Sequence, residues 1–209
     1  MTDYSPEQLL ALIKNQKVKG FLADDEALAL YQYARNVPAP CLEIGSYCGL
    51  STMLLGTACK KSENTLYAVD HHRGSEEHQC GEEYHDVDLY DEQQKQMNSF
   101  PAFRRSLSIA NIEQHVVPLV CSSSTAARHW KTPLGLVFVD GGHSHESSMF
   151  DCMAWSQHLV SGGLLLVHDI FSRPEDGGQG PYFALQAVLN TGDFELLPQI
   201  NSLGALRRK

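Results

Sequence analysis

The stretch CLEIGSYCGL, residues 41–50, decides the fold. It begins with an apolar run at residues 41–44, continues through a turn with glycine at positions 45 and 49, and leads into a helical pattern over residues 50–60. Glycine permits a positive φ and lets a ligand approach the backbone closely. The stretch therefore predicts a strand, a ligand-binding turn and a helix, in the order that opens many α/β sheets.

Outward from this stretch, apolar runs alternate with helical patterns. Further strands are predicted at residues 65–69, 116–120, 134–139 and 164–167, and helices at residues 5–14, 26–35, 89–97, 101–112, 125–130, 145–159 and 181–189, with a hairpin over 194–207. Fully apolar strands that alternate with helices are typical of a parallel sheet covered on both faces. The predicted fold is a three-layer, Rossmann-like α/β sandwich, with a mostly parallel seven-stranded sheet and one antiparallel strand from the C-terminal hairpin.

Composition and charge limit the function classes. The chain has 209 residues, 43% hydrophobic and 20% charged, which is an ordinary globular composition. We expect one domain over residues 1–209, with a helical cap at 1–38 and an inserted lid-like segment at 71–100. A formal charge of −9 argues against nucleic acid and anionic membrane as partners. Six cysteines without a CxxC pair, and no signal-peptide pattern, predict reduced thiols in a cytoplasmic enzyme.

Three acidic residues close predicted strands. Asp70 and Asp140 directly follow an apolar run, and Asp169 lies two residues beyond another. In open α/β sheets, ligands bind beyond the carboxyl ends of the strands, near the point where the strand order reverses. These three carboxylates are therefore predicted to lie at the ligand site.

The glycine turn argues against a dinucleotide ligand. A dinucleotide fingerprint needs G-x-G-x-x-G, so that a pyrophosphate can lie on the helix N-terminus. Gly45 and Gly49 keep only the outer spacing, and Tyr47 stands where the second glycine should be. Glu43 would serve no purpose beside a phosphate, whereas it would be a good acceptor for a ligand's amino group. An NAD-dependent oxidoreductase is thus a disfavoured alternative.

The motifs EIGSYCGLST, residues 43–52, and LYAVD, residues 66–70, resemble motifs I and II of class I S-adenosylmethionine-dependent methyltransferases. The resemblance is closest to the small O-methyltransferases of the catechol and caffeoyl-CoA type and their bacterial relatives, and it runs over roughly residues 25–209. It implies S-adenosylmethionine as the cofactor and a small molecule as the methyl acceptor. Two helices ahead of the first strand often make dimer contacts or cover the pocket in such relatives, so a homodimer is one alternative.

The resemblance also implies residue roles. Gly45, Ser46 and Gly49 would pass under the methionine part of the cofactor, with Glu43 near its amino end. Asp70 would accept hydrogen bonds from the two ribose hydroxyls. A pair of serines would lie at the adenine edge, preceded by a cysteine where the family often has glycine, and a helix N-cap is an equal alternative for them. The predicted cofactor-binding residues are Glu43, Gly45, Ser46, Tyr47, Gly49, Asp70, His71, Ser122, Ser123 and Asp140.

The segments LVFVDGGHSHE, residues 136–146, and GGLLLVHDIF, residues 162–171, carry the predicted catalytic residues. In the metal-dependent O-methyltransferases that the chain resembles, an Asp ends the fourth strand, a Lys three residues later is the base, and an Asp-Asn pair ends the fifth strand. Asp140 and Asp169 match the two Asp. His143 replaces the Lys, and an isoleucine replaces the Asn.

These departures leave the metal open. Asp140 and Asp169 suit a hard cation such as Mg²⁺, and His168 or His143 could complete the site and favour a softer metal such as Mn²⁺. Alternatively there is no metal, and Asp140 contacts cofactor or substrate. An imidazole has an ordinary pKa of about 6.5, so His143 is predicted to be the general base, with a turn histidine as the alternative. The predicted catalytic residues are His143, Asp140 and His168.

A long polar segment, DHHRGSEEHQCGEEYHD, spans residues 70–86 just beyond the second strand. We expect a lid over the methyl-transfer site, because long irregular segments in compact domains are usually functional. In that interpretation His71 and His72 lie beside the adenosine and Arg73 holds an acidic substrate group. A solvated loop and a metal site of the His and Glu side chains are the alternatives, so a metallohydrolase that uses residues 71–85 and a non-catalytic protein remain further hypotheses.

Overall fold

The computed structural model describes residues 4–75 and 86–209, and a seven-stranded sheet lies at its centre. The strands are β1 (Cys41–Ile44), β2 (Leu66–Val69), β3 (Tyr90–Asp91), β4 (Gln96–Met97), β5 (Val116–Leu119), β6 (Leu134–Val139), β7 (Leu159–Val167), β8 (Phe194–Leu196) and β9 (Gly204–Arg208). Strands β3 and β4 form a small separate hairpin, and the others lie in the order β5-β2-β1-β6-β7-β9-β8.

The sheet is parallel except at β9. Strands β5, β2, β1, β6 and β7 pair in parallel, whereas β9 pairs antiparallel with both β7 and β8. The predicted Rossmann-like sandwich with one antiparallel strand from the terminal hairpin is therefore confirmed. The strand order reverses between β1 and β6, since the chain runs outward from β1 to β5 and then returns. Ligands bind at such switch points.

Helices cover both faces of the sheet. They are α1 (Pro6–Asn15), α2 (Asp24–Arg35), α3 (Leu50–Lys61), α4 (Phe100–Ala110), α5 (Ser123–Ala127), α6 (His145–Ser156) and α7 (Gly180–Leu189). One buried cluster joins α1 to α4 to the sheet, and a second joins α6 and α7 to the opposite face. Successive residues of β1 alternate between the clusters, with Cys41 in the first and Leu42 in the second. Each face of the sheet thus has its own core.

The N-terminal helices begin differently from each other. Ser5 caps α1 as predicted, because its hydroxyl accepts from the Gln8 amide and the Gln8 side chain accepts from the Ser5 amide. The second helix begins at Asp24, two residues before the predicted start, and its N-cap is Ala23. Glu26 bonds the backbone of this N-cap residue, since its Oε2 accepts from the Ala23 amide at 3.0 Å. The reach of Glu26 back over the first turn moves the helix start to Asp24.

The predicted helical content at residues 89–97 is wrong. A short 3-10 turn, Val87–Leu89, leads into the β3–β4 hairpin. Asp91 closes this hairpin, because its Oδ1 accepts from the amides of Gln93 and Gln94 at 2.9 and 3.0 Å. A side chain that binds the backbone ahead of it competes with helix formation, which explains the difference.

Three boundaries also moved. Helix α5 begins at Ser123 instead of residue 125 because Ser122 caps it. Helix α6 ends at Ser156, and the chain then enters β7 at Leu159, five residues before the predicted strand. Arg208 stabilises this early exit, since its guanidinium donates to the carbonyl oxygens of Gln157 and Leu159.

Two further observations apply to the described residues. In residues 4–75 and 86–209, no helix is long and apolar enough to cross a membrane. The cysteines in these ranges are free thiols, as predicted. They are Cys41, Cys48, Cys59, Cys121 and Cys152.

Candidate active site

The glycine turn after β1 packs against the end of β6. A Cβ on Gly45 would lie only 2.0 Å from the carbonyl oxygen of Asp140, so a side chain cannot fit there. Gly45 and Gly49 have φ of 86° and 89°, and Tyr47 between them also has a positive φ of 45°. Tyr47 therefore adopts the left-handed backbone that a glycine would otherwise supply at this position. The turn is tight although it lacks the middle glycine.

Asp70 ties the end of β2 to this turn. Its Oδ2 accepts from the amides of Ser46 and Tyr47 at 3.0 and 2.8 Å, and its Oδ1 accepts from the amide of His72 at 2.6 Å. A carboxylate offers about four lone-pair sites, so it keeps capacity for a further donor. The predicted contact with ribose hydroxyls stays a prediction.

Glu43 lies fully buried beneath the turn. Its Oε2 accepts from the hydroxyls of Ser46 and Thr52 at 2.9 and 2.5 Å, while its Oε1 has no hydrogen-bond partner among the described residues. Burial raises the pKa of Glu43 to about 7, against the lowering effect of the hydroxyls of Ser51, Thr52 and Ser46. A buried carboxylate oxygen without a partner is unfavourable in the protein alone, so a cationic or hydrogen-bond-donating ligand would relieve it.

A cavity of about 510 Å³ opens beside the turn. Its lining includes the glycine turn at Gly45, Ser46 and Tyr47 and residues 19–22 ahead of α2. The rest comes mainly from the residues directly after β6 and from the loop that follows β7. The predicted catalytic residues lie in this lining, together with part of the predicted cofactor site. The three residues that the sequence analysis selected as catalytic therefore share one cavity.

Asp140, His143 and Asp169 come together in this cavity. One ligand-type atom from each lies within 4.8 Å of the others, and His143 Nε2 is 3.0 Å from Asp169 Oδ2. Asp169 has a φ of 57°, an uncommon backbone that Asp tolerates better than most residues. Burial opposes ionisation of Asp169, but hydrogen bonds from His143 and His168 hold its pKa well below the usual range. Asp169 is thus a carboxylate that faces a histidine.

His168 is enclosed by carboxylates. Its Nδ1 lies 3.1 Å from Asp140 Oδ1 and 3.4 Å from Asp169 Oδ2, and its Nε2 lies 3.1 Å from Glu26 Oε2. Burial opposes its protonation, but the hydrogen bonds to Asp140 and Asp169 outweigh this and raise the pKa to about 11. An imidazolium that donates from both nitrogens neither ligates a metal nor accepts a proton. The suggestion that His168 completes a metal site therefore does not fit this geometry.

The predicted adenine-edge and adenosine residues lie outside the cavity lining. Ser122 is the N-cap of α5, and Ser123 Oγ accepts from the Trp155 indole at 2.8 Å. His71 is exposed and accepts from the Arg73 amide through Nδ1. His72 is buried and bonds Ser99 through Nδ1 at 2.9 Å. These side chains already have protein partners, and their cofactor roles stay predictions.

Part of the acidic segment lies outside the described residues. These are the histidines at 78 and 85 and the glutamates at 76, 77, 82 and 83. The lid, solvated-loop and metal-site interpretations of residues 76–85 therefore stay hypotheses.

Sequence reasoning missed one part of the cavity wall. Residues 19–22 line it between the two N-terminal helices, and Phe21 stacks near the Tyr47 ring at 6.2 Å between centroids. Lys19 pairs with Asp86 and Asp88 at 2.6 and 2.9 Å. The pattern of residues 17–22 carries no periodicity, and only a tertiary contact could reveal their place.

Comparison with known proteins agrees with this geometry. The chain has the fold of SAH-bound methyltransferase PaMTH1 from Podospora anserina, with a TM-score of 0.69 at 14% identity, over 96% of this chain and 87% of that one. It is also similar to an O-methyltransferase from Bacillus cereus in complex with SAH, with a TM-score of 0.64 at 12% identity, over 97% of this chain and 90% of that one. A third similar structure is the O-methyltransferase TomG from Streptomyces achromogenes in complex with SAM, with a TM-score of 0.60 at 13% identity, over 99% of this chain and 88% of that one.

Fold and site together define a class I S-adenosylmethionine-dependent methyltransferase, which confirms the resemblance drawn from the two motifs. The sequence model of a family described as a methyltransferase domain matches residues 42–170, and the chain belongs to that family. The oxidoreductase and metallohydrolase alternatives find no support in these comparisons.

Proposed function

We propose that the protein transfers the methyl group of S-adenosylmethionine to a hydroxyl oxygen of a small-molecule acceptor, with His143 as the general base. One observation carries this proposal: His143 contacts Asp169 in the same cavity that the glycine turn borders. The O-methyltransferases of similar fold support the choice of oxygen as the acceptor atom.

The residues present fit the methyl donor. S-adenosylmethionine supplies an electrophilic methyl group on a positively charged sulfur. The buried, unpartnered Oε1 of Glu43 would accept from its ammonium group, and Gly45 and Gly49 give it access to the backbone of the turn. Asp70 would accept from the ribose hydroxyls through its remaining lone pairs. The methionine and ribose parts would thus span the ends of β1 and β2.

His143 would remove the acceptor's proton. His143 Nε2 lies 3.0 Å from Asp169 Oδ2. An N–H donated from Nε2 to this carboxylate would fix the ring and leave Nδ1 as the nitrogen that takes up a proton. As the hydroxyl loses its proton to His143, its oxygen forms a bond to the methyl carbon, and the carbon–sulfur bond breaks. The electron pair of that bond stays on sulfur, which becomes a neutral thioether. The cavity walls supply most of the remaining catalysis by holding the two reactants in line.

A divalent cation such as Mg²⁺ or Mn²⁺ also fits this site. Asp140 and Asp169 would hold it with two carboxylates, and His143 would add a nitrogen ligand if it does not act as base. Such a cation would polarise the acceptor oxygen and lower the pKa of its hydroxyl. His143 cannot be a metal ligand and a general base at the same time. The experiment must therefore also establish whether methyl transfer needs a metal.

The acceptor is proposed to be small because a cavity of about 510 Å³ must hold it together with the methionine end of the donor. The net charge of −9 supports an enzyme that does not act on nucleic acid or anionic membranes. The free cysteines support a cytoplasmic location. The N-terminal helices pack on α3, and residues 19–22 between them line the cavity. We therefore favour a covering role for residues 1–38 within one domain of 209 residues, and a homodimer through these helices is the alternative.

The proposal is tested by methyl transfer. The purified protein is incubated with methyl-labelled S-adenosylmethionine and a panel of phenols, alcohols, amines and thiols, and labelled products are identified by mass spectrometry. We expect His143→Ala to lower kcat by about 10²- to 10⁴-fold, the usual contribution of a general base, with unchanged affinity for S-adenosylhomocysteine (SAH). His145→Ala is the matched control, because His145 is exposed on α6 and contacts Phe183 instead of the cavity.

Two outcomes would contradict the proposal. Transfer only to nitrogen or sulfur acceptors would rule out O-methylation, and full turnover of His143→Ala would remove His143 as base. Dialysis against a chelator, followed by readdition of Mg²⁺ or Mn²⁺, separates the metal-dependent and metal-free mechanisms. A metal-free enzyme is indifferent to both treatments.

A further inference from the structure

A buried glutamate of the second N-terminal helix contacts a histidine that lines the cavity. Glu26 lies in the first turn of α2 and is only 2% exposed. Its Oε2 contacts His168 Nε2 at 3.1 Å, although the two residues are 142 positions apart in the chain. Its Oε1 accepts from the amide and the hydroxyl of Ser202, both at 2.8 Å. One carboxylate therefore joins α2, the end of β7 and the β8–β9 loop.

The other side of the His168 ring faces the proposed active site. His168 Nδ1 lies between Asp140 Oδ1 and Asp169 Oδ2. Asp140 follows β6, Asp169 lies beyond the end of β7, and the His168 ring contacts both carboxylates. An imidazole bonded at both nitrogens cannot rotate without the loss of one contact, so whatever holds Nε2 also fixes Nδ1.

We propose, on the basis of the function proposed above, that Glu26 is a positioning residue for methyl transfer: it holds the His168 ring so that His168 fixes Asp140 and Asp169. Glu26 is not among the residues that line the cavity. It acts through His168, as outer hydrogen-bond partners orient the groups that do the chemistry in many enzymes. The N-terminal helices would then contribute to the catalytic geometry as well as to the cavity wall.

The alternative is that Glu26 only anchors α2. Its contacts with the Ala23 amide and with Ser202 would serve that purpose without His168. Asp25 provides a matched control, because its two carboxylate oxygens bond the Asn201 side chain at 2.6 and 2.7 Å. Asp25 thus anchors the same helix to the same loop but makes no contact with His168.

The experiment compares Glu26→Gln with Asp25→Asn. A glutamine replaces one acceptor oxygen by an NH₂ group, so it cannot keep all four of the contacts that Glu26 makes. We expect Glu26→Gln to lower kcat about 10- to 100-fold, the range for loss of an outer hydrogen-bond partner. We expect KM for S-adenosylmethionine to stay within about twofold, because the glycine turn is untouched. Asp25→Asn should retain kcat, even if both variants lose similar stability.

A second measurement does not depend on activity. The His168 Nε2–H proton should give a slowly exchanging, downfield NMR resonance in the unmodified protein and in Asp25→Asn, and Glu26→Gln should shift or remove it. Unchanged kcat and an unchanged resonance in Glu26→Gln would overturn the proposal. Equal losses of kcat in Glu26→Gln and Asp25→Asn would also overturn it in favour of mere anchoring. Failure of the proposed function itself would look different, because then the unmodified protein transfers no methyl group to any oxygen acceptor.

Discussion

At the scale of single residues, Glu43 has a cost in stability that its proposed role in binding would explain. It is fully buried, its Oε1 has no hydrogen-bond partner within residues 4–75 and 86–209, and burial raises its pKa to about 7. The unfolded chain releases the proton of Glu43 near pH 4.5, whereas the folded protein retains it until about pH 7. The free energy of unfolding therefore falls as the pH rises through this window. Residues that function demands often destabilise a fold in this way.

Glu43→Gln should separate stability from binding. We expect the variant to gain up to about 3 kcal/mol in the free energy of unfolding at pH 8, because it removes the buried ionisation. It should show no such gain at pH 4, where Glu43 is protonated in both states. Its affinity for SAH should fall about tenfold through loss of a charge-assisted hydrogen bond. Urea denaturation at the two pH values and calorimetric titration check this, and unaltered SAH affinity would refute the ammonium contact.

At the scale of elements, the glycine turn depends on its packing against the end of β6. Gly45 and Gly162 both have a positive φ, of 86° and 78°. A Cβ on Gly45 would meet the Asp140 carbonyl at 2.0 Å, whereas a Cβ on Gly162 would meet nothing within 4 Å. Both positions therefore require a positive φ, which strains any residue other than glycine. They differ because a side chain at position 45 would collide with the Asp140 carbonyl, whereas one at position 162 would meet no neighbour.

Alanine at each position should measure that difference. Gly162→Ala is expected to lose about 1 kcal/mol, the usual penalty for alanine at a positive φ. Gly45→Ala is expected to lose at least about 3 kcal/mol, because the turn must move away from Asp140, and it should also lose SAH binding. Urea denaturation of both variants gives the comparison. Equal losses would mean that the approach of the turn to β6 does not matter.

Sequence reasoning predicted best those elements whose signal lies within their own residues. The strands β1 and β6 and the turn at Gly45 were predicted because apolar runs and glycine spacing are local signals. The β3–β4 hairpin was missed because the Asp91 side chain outweighs a weak helical pattern. Glu26 was read as part of an ordinary helix, since nothing near it in sequence reveals His168. Contacts across 142 residues have no local signature.

At the scale of the whole molecule, distant parts of the chain converge on one cavity. Residues 19–22 come from the N-terminal region, the glycine turn follows the first strand, and Asp140, His143 and Asp169 follow the strands beyond the switch point. The overall negative charge suits a cationic donor and disfavours polyanionic partners. The central claim is that this cavity and the ends of β1 and β2 hold one adenosyl ligand.

A crystal structure of the protein with SAH tests that claim most directly. We predict that the amino acid part of the ligand lies on the turn at residues 45–49, with its ammonium group at Glu43 and its ribose hydroxyls at Asp70. The thioether sulfur should point toward His143, where the acceptor would bind. SAH bound elsewhere on the protein, or the absence of SAH from a crystal grown at a saturating concentration, would contradict the account.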